Sequence, residues 1–415
     1  MLVTVPVPDA RSLDDYIPHV GSEAVERLRE AAAPLHGARL VHLSSTAFGG
    51  GVAELLHTQV AILRDLGIEA DWRIIEGSED FFAVTKLVHN ALQGAGVPWT
   101  ESMEETYLQR IEANATRFEA DADFVIVHDP QPAALLPMVE AMGKRSGRWV
   151  WRCHIDLSQP MEAVWGFFAP FVGSYDASVY TLDSFVREGG GHNVHIIPPS
   201  IDPLSPKNVL LDDDAVNEIL VGYGIDGSRP IVSQVSRFDP WKDPLGVMDA
   251  YRRAREEVPG LQLVMVGSMA HDDPEGWHYL ELTEEHRAED PDIHILTNLQ
   301  NVGAEAVNAF QRASDVVVQK SIREGFGLTC SEAMWKERPV VAGAVGGLCI
   351  QIEDEETGFL VDSVDACAAR IVDLLKDEDS RLRMGKAGRE RVRQLFVSTR
   401  EVEDQVRLLT SLEGG

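Results

Sequence analysis

Short apolar runs alternate with longer amphipathic stretches along most of the chain, which is the pattern of strands and helices taken in turn. Between the first two apolar runs, Val52, Leu55, Leu56, Val60 and Leu63 recur at helical spacing and would share one face. Alternation of this kind predicts a parallel sheet covered by helices on both faces. The predicted strands of the first half are residues 39–43, 70–75, 124–128, 149–153, 177–180 and 194–197.

The alternation stops and then starts again. Residues 198–203 contain three prolines and predict a stiff crossing, and an acidic, helix-like stretch follows at 211–221. A chain of 415 residues is also too long for one hydrophobic core. We therefore predict a boundary near Pro199, with a first domain over 1–199 and a second over 200–385. The predicted strands of the second half are residues 231–235, 261–266, 294–296, 316–319 and 339–342.

The net charge of −30 changes which partners can be expected. It argues against a broad basic face that would bind nucleic acid or an anionic membrane. The acidic surface could serve solubility in a high-salt cell or have no special role, and the sequence leaves both readings open. Against this background, cations that gather near glycines are informative, because few cations are present.

The four cysteines and the apolar runs bear on location. Cys153, Cys330, Cys349 and Cys367 form no CxxC pair, which argues against zinc and thioredoxin-like chemistry and favours free thiols in a reducing cytoplasm. No apolar run reaches transmembrane length. Residues 1–10 lack the basic start and apolar stretch of a secretory signal. We expect a cytoplasmic protein.

A glycine-rich loop, residues 44–51, follows the first predicted strand and ends in Gly49, Gly50 and Gly51. These glycines would let backbone amides at a helix N-terminus approach a phosphate or a sugar oxygen. The loop is neither a P-loop nor a dinucleotide fingerprint, because it lacks Gly-Lys-Ser/Thr and the GxGxxG spacing. A tight strand-to-helix turn would explain the glycines equally well.

Two cations follow the first strand of the second domain. Arg237 and Lys242 lie in residues 236–242, directly after the predicted strand 231–235. In open α/β sheets, ligands bind beyond the carboxyl ends of the strands. Arginine can bind two phosphate oxygens at once, and lysine acts as a point charge. In so acidic a chain, this pair predicts a phosphate site more than a solvated surface.

Two carboxylates, Glu324 and Glu332, follow a later strand with seven residues between them, two of which are glycines. Backbone amides of that loop could receive a diphosphate, Glu332 could accept hydrogen bonds from ribose hydroxyls, and Glu324 could contact the transferred sugar. Glu332 also has a structural explanation, since Thr329-x-x-Glu332 has the spacing of a capping box. Nothing comparable explains Glu324.

Polar residues also follow two strands of the first domain, in segments 128–132 and 151–156. His154 and Asp156 could bind sugar hydroxyls or transfer a proton, although a structural histidine remains an open alternative. A Cys153–His154 nucleophile pair is rejected, because adjacent residues on a strand point to opposite faces. The loop at 269–278 has no recognised metal-ligand spacing, and we expect no metal site there.

The cation pair, the two spaced carboxylates and the glycine-rich loop together resemble the retaining GT-B glycosyltransferases of family 4. The resemblance is closer to the trehalose-synthase branch of that family and covers most of residues 42–359. It implies two Rossmann-like, doubly wound α/β domains facing a cleft, with residues 386–415 forming a C-terminal helix that returns to the first domain. The segments that carry the closer likeness are 49–54, 85–94, 128–132, 151–158, 198–204, 234–242, 269–277 and 321–328.

The resemblance also implies an activity. It implies a hexosyltransferase that moves glucose from UDP- or ADP-glucose to free glucose, giving α,α-trehalose reversibly, with retention of configuration and no metal or other cofactor. The departing phosphate would help to deprotonate the acceptor, so no enzymatic nucleophile is needed. Arg237 and Lys242 would stabilise the departing diphosphate, Glu332 would hold the ribose, and Glu324 the donor glucose.

The expected site residues fall into three sets, and no metal ligand is among them. The expected catalytic residues are His154, which matches the family histidine near the reacting sugar, Arg237, Lys242 and Glu324. The expected donor-binding residues are Gly50, Gly51, Arg237, Lys242, Glu324, Gly325, Phe326, Gly327, Leu328 and Glu332. The expected acceptor-binding residues are Asn90, Asp129, Gln131, His154 and Asp156.

The acceptor residues favour free glucose over glucose 6-phosphate, since none of them is a phosphate-binding cation. Arg152 is the nearby cation, and strand alternation leaves its direction open. We expect small-molecule substrates as the partners, with no nucleic acid or membrane, and a homodimer is compatible with the sequence. Three alternatives stay open. The protein could transfer sugar to another acceptor and form a product such as sucrose or a glycolipid. It could also be a nucleotide-sugar epimerase on the same scaffold, or a non-catalytic nucleotide-sugar sensor. The donor base also stays open.

Overall fold

The computed structural model describes residues 2–7, 11–48, 50–119, 121–269 and 274–413. The chain divides into two compact units. The first unit comprises Met1–Ser200 with Ser398–Gly415, and the second comprises Ile201–Val397. Among the described residues, no helix has the length and apolar character needed to cross a membrane.

The first unit is built on a seven-stranded sheet in the order β1-β3-β2-β4-β5-β6-β7. All neighbours run parallel except β1, which pairs antiparallel with β3. The direction of strand addition reverses at β2, which lies between β3 and β4, so the switch point of this sheet is at β2 and β4. The strands are β1 (Val3–Thr4), β2 (Arg39–Ser44), β3 (Glu69–Ile74), β4 (Phe124–His128), β5 (Arg148–Arg152), β6 (Ala177–Tyr180) and β7 (Val194–Ile196).

Helices cover this sheet, and the last helix of the chain is one of them. That helix, α16 (Ser398–Glu413), packs against α2 and α3, and buries Val402, Val406 and Leu409. A C-terminal helix thus packs on the first unit, as the resemblance implied, but it begins at Ser398 and not at residue 386 as expected. The other helices of the unit are α1 (Ile17–Val20), α2 (Ser22–Ala32), α3 (Gly51–Asp65), α4 (Glu79–Leu92), α5 (Glu101–Arg117), α6 (Leu135–Ala141) and α7 (Glu162–Val172).

The second unit has a six-stranded, wholly parallel sheet in the order β10-β9-β8-β11-β12-β13. This is the strand order of a dinucleotide-binding fold, and its switch point lies between β8 and β11. The strands are β8 (Ile231–Val235), β9 (Gln262–Gly267), β10 (Ile293–Thr297), β11 (Val316–Gln319), β12 (Val340–Gly343) and β13 (Phe359–Val361). The helices are α8 (Asp213–Gly222), α9 (Pro244–Glu257), α10 (Pro274–Arg287), α11 (Ala304–Ala313), α12 (Leu328–Trp335), α13 (Leu348–Gln351), α14 (Val364–Lys376) and α15 (Glu378–Leu395).

Every strand predicted from the sequence is present, with ends that differ by no more than one residue. Strands buried on both faces appear in the sequence as continuous apolar runs, and β4 and β8 are buried along their whole length. The sequence did not reveal β1 and β13, which lie at sheet edges and have two and three residues. Segments that short carry no readable periodicity. Helix α15 belongs to the second unit, and the chain rejoins the first unit at Ser398.

Candidate functional site

In the second unit, one buried carboxylate orients both predicted phosphate-binding cations. Asp239 follows β8 and is 2% exposed. Its Oδ1 accepts the Lys242 backbone N–H at 3.2 Å and so caps the single turn Pro240–Lys242. Its Oδ2 lies 3.0 Å from Nη2 of Arg237, whose side chain is 45% exposed. The loop beyond β8 therefore presents an oriented guanidinium to solvent at the switch point.

The structure brings Lys242 and Glu324 together across the switch point. The Lys242 Nζ lies 2.5 Å from Glu324 Oε2. The same carboxylate oxygen accepts hydrogen bonds from Ser321 Oγ at 3.0 Å and from Gln319 Nε2 at 3.4 Å. Both members of the ion pair are largely buried, which strengthens their attraction relative to an exposed pair. The ammonium is thus fixed where a diphosphate could compete for it.

Glu332 lies in the second turn of α12 and is fully buried. Neither of its carboxylate oxygens has a hydrogen-bond partner in the part of the chain that the structure describes. The Lys207 Nζ lies 3.5 Å from Oε1 as an ion-pair partner. Burying a carboxylate without hydrogen bonds is costly, so this group favours a ligand that brings hydroxyl donors.

The alternative explanation of Glu332 as part of a capping box is wrong. The N-cap of α12 is Gly327, so Thr329 lies inside the helix. The Thr329 hydroxyl donates to Gln319 Oε1 at 3.2 Å instead. With a glycine at the N-cap, the first-turn amides of α12 receive no cap from that position, and the helix N-terminus is suited to an anion.

The loop that enters α12 is held in one conformation. The Gln351 side-chain amide donates to Phe326 O at 2.5 Å, and the Gly347 N–H donates to Glu324 O at 3.2 Å. A Cβ on Gly347 would lie 2.4 Å from Phe326 Cα, so only glycine permits this approach. Gly327 has φ +87°, and its position places it against the side chain of Glu324. The predicted donor residues Gly325, Phe326, Gly327 and Leu328 therefore adjoin the Lys242–Glu324 pair.

For the glycine-rich loop of the first unit, both explanations stay open: a ligand-binding loop and a tight strand-to-helix turn. Gly50 is the N-cap of α3 with φ +82°, which a turn of this kind requires. A Cβ at Gly50 would meet no heavy atom within 4 Å, and Gly51 begins the helix. The space near these amides is thus open enough for a ligand oxygen. Gly49 lies outside the described residues, as do residues 270–273 of the loop at 269–278, where no metal site is expected.

Three histidines form a hydrogen-bonded chain at the switch point of the first unit. The Nδ1 of His42, on β2, lies 2.9 Å from Nε2 of His128, at the end of β4. The Nδ1 of His128 lies 2.9 Å from Nε2 of His154, just after β5. At the other end, Gln405 on α16 places its Nε2 3.3 Å from His42 Nε2. Successive rings stack with centroids 5.2 Å apart, in series and not around a common point.

The histidine chain is electrically neutral at neutral pH. Burial and, to a smaller extent, the nearby Arg152 guanidinium lower the pKa of His42 to about 3. Burial, with Arg152 and the neighbouring histidines adding to it, also holds the pKa values of His128 and His154 well below the usual range. Each ring therefore carries one proton, and each hydrogen bond in the chain has one donor and one acceptor.

Arg152 points away from solvent towards α16. Its guanidinium pairs with the fully buried carboxylate of Glu401 and donates to Ile197 O at 3.3 Å. The Ser200 hydroxyl donates to the other oxygen of Glu401. The cation whose direction the sequence left open is thus occupied within the first unit.

The structure joins two of the five predicted acceptor residues directly. Asp129, in the left-handed region with φ +65°, accepts the His154 backbone N–H at 2.8 Å. Burial raises the pKa of Asp129 to about 7, although the His154 N–H and Arg152 act in the opposite direction. The positive φ of Asp129 turns the backbone sharply directly after β4. Residues held in this uncommon region often occur at functional sites, and this one lies where a ligand-binding carboxyl group is expected.

The other three predicted acceptor residues are less closely connected. Asp156 is buried, and its Oδ1 accepts the Ser158 N–H at 2.8 Å. The Oε1 of Gln131 is buried and finds no hydrogen-bond partner among the described residues, so it is available to a hydroxyl. Asn90 lies partly buried in the last turn of α4. Over residues 2–413 as described, no side-chain hydrogen bond joins Asn90 to the other four.

Several site residues were not singled out from the sequence. His42 could have been noticed, because a histidine interrupts an otherwise apolar strand, and Gln405 because it shares the apolar face of α16. Arg187 gave no such signal; its Nη1 donates to Ser158 O at 3.2 Å, next to the predicted acceptor residues. Lys207, the ion-pair partner of Glu332, lies in the proline-rich segment that follows the boundary.

Two family descriptions match the chain. Residues 42–187 match the family described as trehalose synthase, N-terminal domain. Residues 216–391 match glycosyl transferases group 1. The first match covers β2 to β6 and the histidine chain, and the second covers the cation pair and both spaced carboxylates.

Similar proteins support the same grouping. The chain is 49% identical over 407 residues to a trehalose synthase of Pyrococcus horikoshii, covering 97% of each chain. It is 48% identical to a trehalose synthase of Rubrobacter xylanophilus, covering 98% of each. A sucrose-phosphate synthase of Thermosynechococcus elongatus shares the fold, with a TM-score of 0.70 and 20% identity over 91% of this chain and 99% of that one. A UDP-forming trehalose-phosphate synthase of Burkholderia xenovorans does so with a TM-score of 0.72 and 16% identity over 91% and 99%. The predicted GT-B fold with two doubly wound domains is confirmed.

Proposed function

The chain belongs to the trehalose synthase family of GT-B glycosyltransferases, and we propose that it transfers glucose from a nucleotide-diphosphate glucose to free glucose. The product is α,α-trehalose, the configuration of the transferred glucose is retained, and the transfer is reversible. Trehalose-related glycosyl transfer follows from the family. The choice of donor and acceptor, the stereochemistry and the reversibility are the proposal.

The observation that carries the proposal is Lys242 held 2.5 Å from Glu324 beside the glycine-capped N-terminus of α12. Arg237, oriented by Asp239, adds a second cation at the same switch point. Two cations and a helix N-terminus suit a diphosphate. The fully buried Glu332 supplies acceptors for ribose hydroxyls, as a nucleotide donor requires.

In the proposed reaction, the bond from the glucose C1 to the diphosphate oxygen breaks while a bond from C1 to an acceptor hydroxyl oxygen forms. Both events take place on the same face of the sugar, which retains the configuration. The proton of the acceptor hydroxyl passes to the departing phosphate oxygen. Arg237 and Lys242 stabilise the negative charge that develops on the diphosphate, and Glu324 orients the donor glucose. No protein nucleophile and no metal take part in these steps.

The first unit is proposed to bind the acceptor through neutral polar groups. His154, Asp129, Gln131, Asp156 and Asn90 would meet sugar hydroxyls by donating and accepting hydrogen bonds. The pairing of Arg152 with Glu401 supports free glucose, because this cation is occupied and cannot bind an acceptor phosphate without breaking a buried pair.

One experiment tests the donor, acceptor and stereochemistry together. The purified protein is incubated with UDP-, ADP- and GDP-glucose, each with and without glucose, and the sugars are identified by proton NMR. We expect α,α-trehalose only when glucose is present. A glucose disaccharide with another linkage would contradict the proposed product. No disaccharide at all would favour another acceptor, and a change in the nucleotide sugar without glucose would favour an epimerase. Formation of nucleotide-glucose from trehalose and a nucleoside diphosphate tests reversibility.

Metal independence needs its own measurement. We propose that no metal or other cofactor is required, since the two cations already provide positive charge at the diphosphate. Transfer is measured after exhaustive chelation. Complete loss that magnesium or manganese restores would contradict this part of the proposal. We further propose a cytoplasmic protein whose partners are small-molecule substrates.

A further inference from the structure

The histidine chain links α16 to the predicted acceptor site through one unbroken series of hydrogen bonds. Gln405 contacts His42 Nε2, His42 Nδ1 contacts His128 Nε2, and His128 Nδ1 contacts His154 Nε2. Apart from Gln405, the members lie on or just after three adjacent strands of one sheet. In His154, the chain occupies Nε2, so Nδ1 is the ring nitrogen left for a sugar oxygen.

The protons in such a chain cannot be arranged independently. A neutral imidazole has one N–H donor and one bare nitrogen acceptor. If Gln405 donates its amide N–H to His42, then His42 and His128 must each donate from Nδ1, and His154 carries its proton on Nδ1. If Gln405 accepts through its amide oxygen, every tautomer reverses and His154 carries its proton on Nε2. The amide of one glutamine thus decides what His154 offers at the site.

We propose that Gln405, His42 and His128 are positioning residues that fix the proton of His154 on Nδ1, so that His154 meets the reacting sugars as a hydrogen-bond donor. The amide nitrogen of Gln405 faces His42 at 3.3 Å, which selects this direction over the reverse. The effect on transfer rests on the proposed function, whereas the tautomer does not.

The surroundings keep the chain in this state. Arg152 from β5 is the charged group that acts on all three rings, and its own charged neighbours include Glu401 from α16 and Asp129 from the end of β4. Arg152 opposes protonation of the rings, and Glu401 is occupied by Arg152 and Ser200. The chain therefore transmits the direction of one hydrogen bond and carries no net charge.

The test compares three variants of the full chain labelled with 15N-histidine. Gln405→Glu replaces the donor by an acceptor, and Gln405→Met removes the hydrogen bond. The matched control is Gln59→Met, on α3 of the same unit, since Gln59 is equally buried and its amide has no hydrogen-bond partner among the described residues. Ring-nitrogen shifts, recorded above pH 8, report which nitrogen of each histidine is protonated.

We expect protonation at Nδ1 of His154 in the wild-type chain and in Gln59→Met, and at Nε2 in Gln405→Glu. We expect kcat for transfer to fall by about tenfold or more in Gln405→Glu and to change less than about twofold in Gln59→Met. Thermal melting confirms that each variant is folded. Protonation of His154 on Nε2 in the wild-type chain would contradict the proposed positioning of its proton. Protonation of His154 on the same nitrogen in Gln405→Glu as in the wild-type chain would contradict it as well. A reversal of the tautomers with unchanged kcat would contradict the role of this proton in transfer. If the wild-type chain shows no transfer, the proposed function fails, while the NMR result still tests whether the histidine chain fixes the proton of His154.

Discussion

The two units place their candidate sites at the same point of a doubly wound sheet and form them from opposite kinds of groups. In the second unit, the loops after β8 and β11 hold the charged pairs Arg237–Asp239 and Lys242–Glu324. In the first unit, the segments after β4 and β5 hold neutral imidazoles, and the nearby cation Arg152 is turned away to Glu401. The fold fixes where a ligand binds, and the side chains fix its chemistry.

The difference bears on how an acidic chain could hold the proposed anion site. Three cations at the switch point of the second unit have carboxylate partners: Arg237 pairs with Asp239, Lys242 with Glu324, and Lys320 with Asp243. Such pairs hold the cations in place before an anion arrives and can exchange one carboxylate for a phosphate. Sugar hydroxyls need no such charge, and an unoccupied guanidinium in the first unit would attract anions there instead.

The largest expected effect comes from removing a cation of the second unit. We expect Lys242→Met and Arg237→Ala each to lower kcat/KM by about tenfold to a hundredfold, since each removes positive charge from the departing diphosphate. The matched control is Lys376→Met, because Lys376 is an exposed lysine of the same unit that pairs with Glu257. Steady-state kinetics check this. Near-normal turnover in both site variants would contradict a charged, diphosphate-binding site in the second unit.

A smaller effect with a distinct signature is expected at Glu332. Glu332→Gln removes a fully buried carboxylate that has no hydrogen-bond partner in the described chain, and its ion-pair partner Lys207 is partly exposed and keeps access to solvent. We therefore expect the protein to melt at a higher temperature. We also expect about a tenfold rise in KM for the donor, because one ribose acceptor becomes an amide. Calorimetry and kinetics on the same preparation test both. A lower melting temperature with an unchanged donor KM would make Glu332 a structural residue.

Much of this arrangement could be predicted from the sequence. Buried parallel strands appear as continuous apolar runs, so the strand ends were readable, and polar residues directly after them, such as Arg237 and His154, fall at the ligand-binding edge. The motif of Glu324 and Glu332 needed only its spacing. These features are local, because each depends on a strand and the few residues after it.

The pairings could not be predicted, because they join residues far apart in the chain. The Lys242–Glu324 pair spans 82 residues, the Arg152–Glu401 pair spans 249, and the contact between His42 and Gln405 spans 363. Nothing in one sequence indicates which carboxylate meets which cation. The capping-box alternative for Glu332 failed for a local reason, since Gly327 in the left-handed region starts α12 earlier than the Thr329 spacing suggests.

The neutral polar groups of the first unit predict which acceptor is preferred. We expect glucose to be a better acceptor than glucose 6-phosphate by about fivefold or more in kcat/KM, because Arg152 is already paired. Arg187, which donates to Ser158 O, is the cation that could alter this result. We expect Asp156→Ala to weaken the dependence on glucose, while Asp121→Ala, at an exposed position, leaves it unchanged. Competition between the two acceptors at equal concentration provides the measurement. A preference for the phosphate, or an unaltered glucose dependence in Asp156→Ala, would contradict a site made for hydroxyls.

The last expected effect concerns stability and not transfer, and it follows from the raised pKa of Asp129. The carboxyl has a pKa of about 7 in the folded chain and 3.8 as its ordinary value. Between these pH values the folded protein keeps a proton that the unfolded chain has lost, so the free energy of unfolding falls as pH rises. The histidine chain has the opposite sign: its pKa values are lowered on folding, so its contribution is lost on acidification below the ordinary histidine pKa of 6.5.

Asp129→Asn isolates the carboxyl, because the amide oxygen can still accept the His154 N–H while the titration disappears. The histidine contribution is common to both proteins and cancels in the difference. We expect the free energy of unfolding of the variant relative to wild type to rise by about 3 kcal/mol from pH 4 to pH 7 and to level off above it. The exposed control Asp121→Asn should show no such rise. Urea unfolding at half-unit pH steps measures it. A difference that does not change with pH for Asp129→Asn would mean that Asp129 is charged at neutral pH. The candidate site of the first unit would then be anionic, and it would differ from the ion-paired site of the second unit in its net charge.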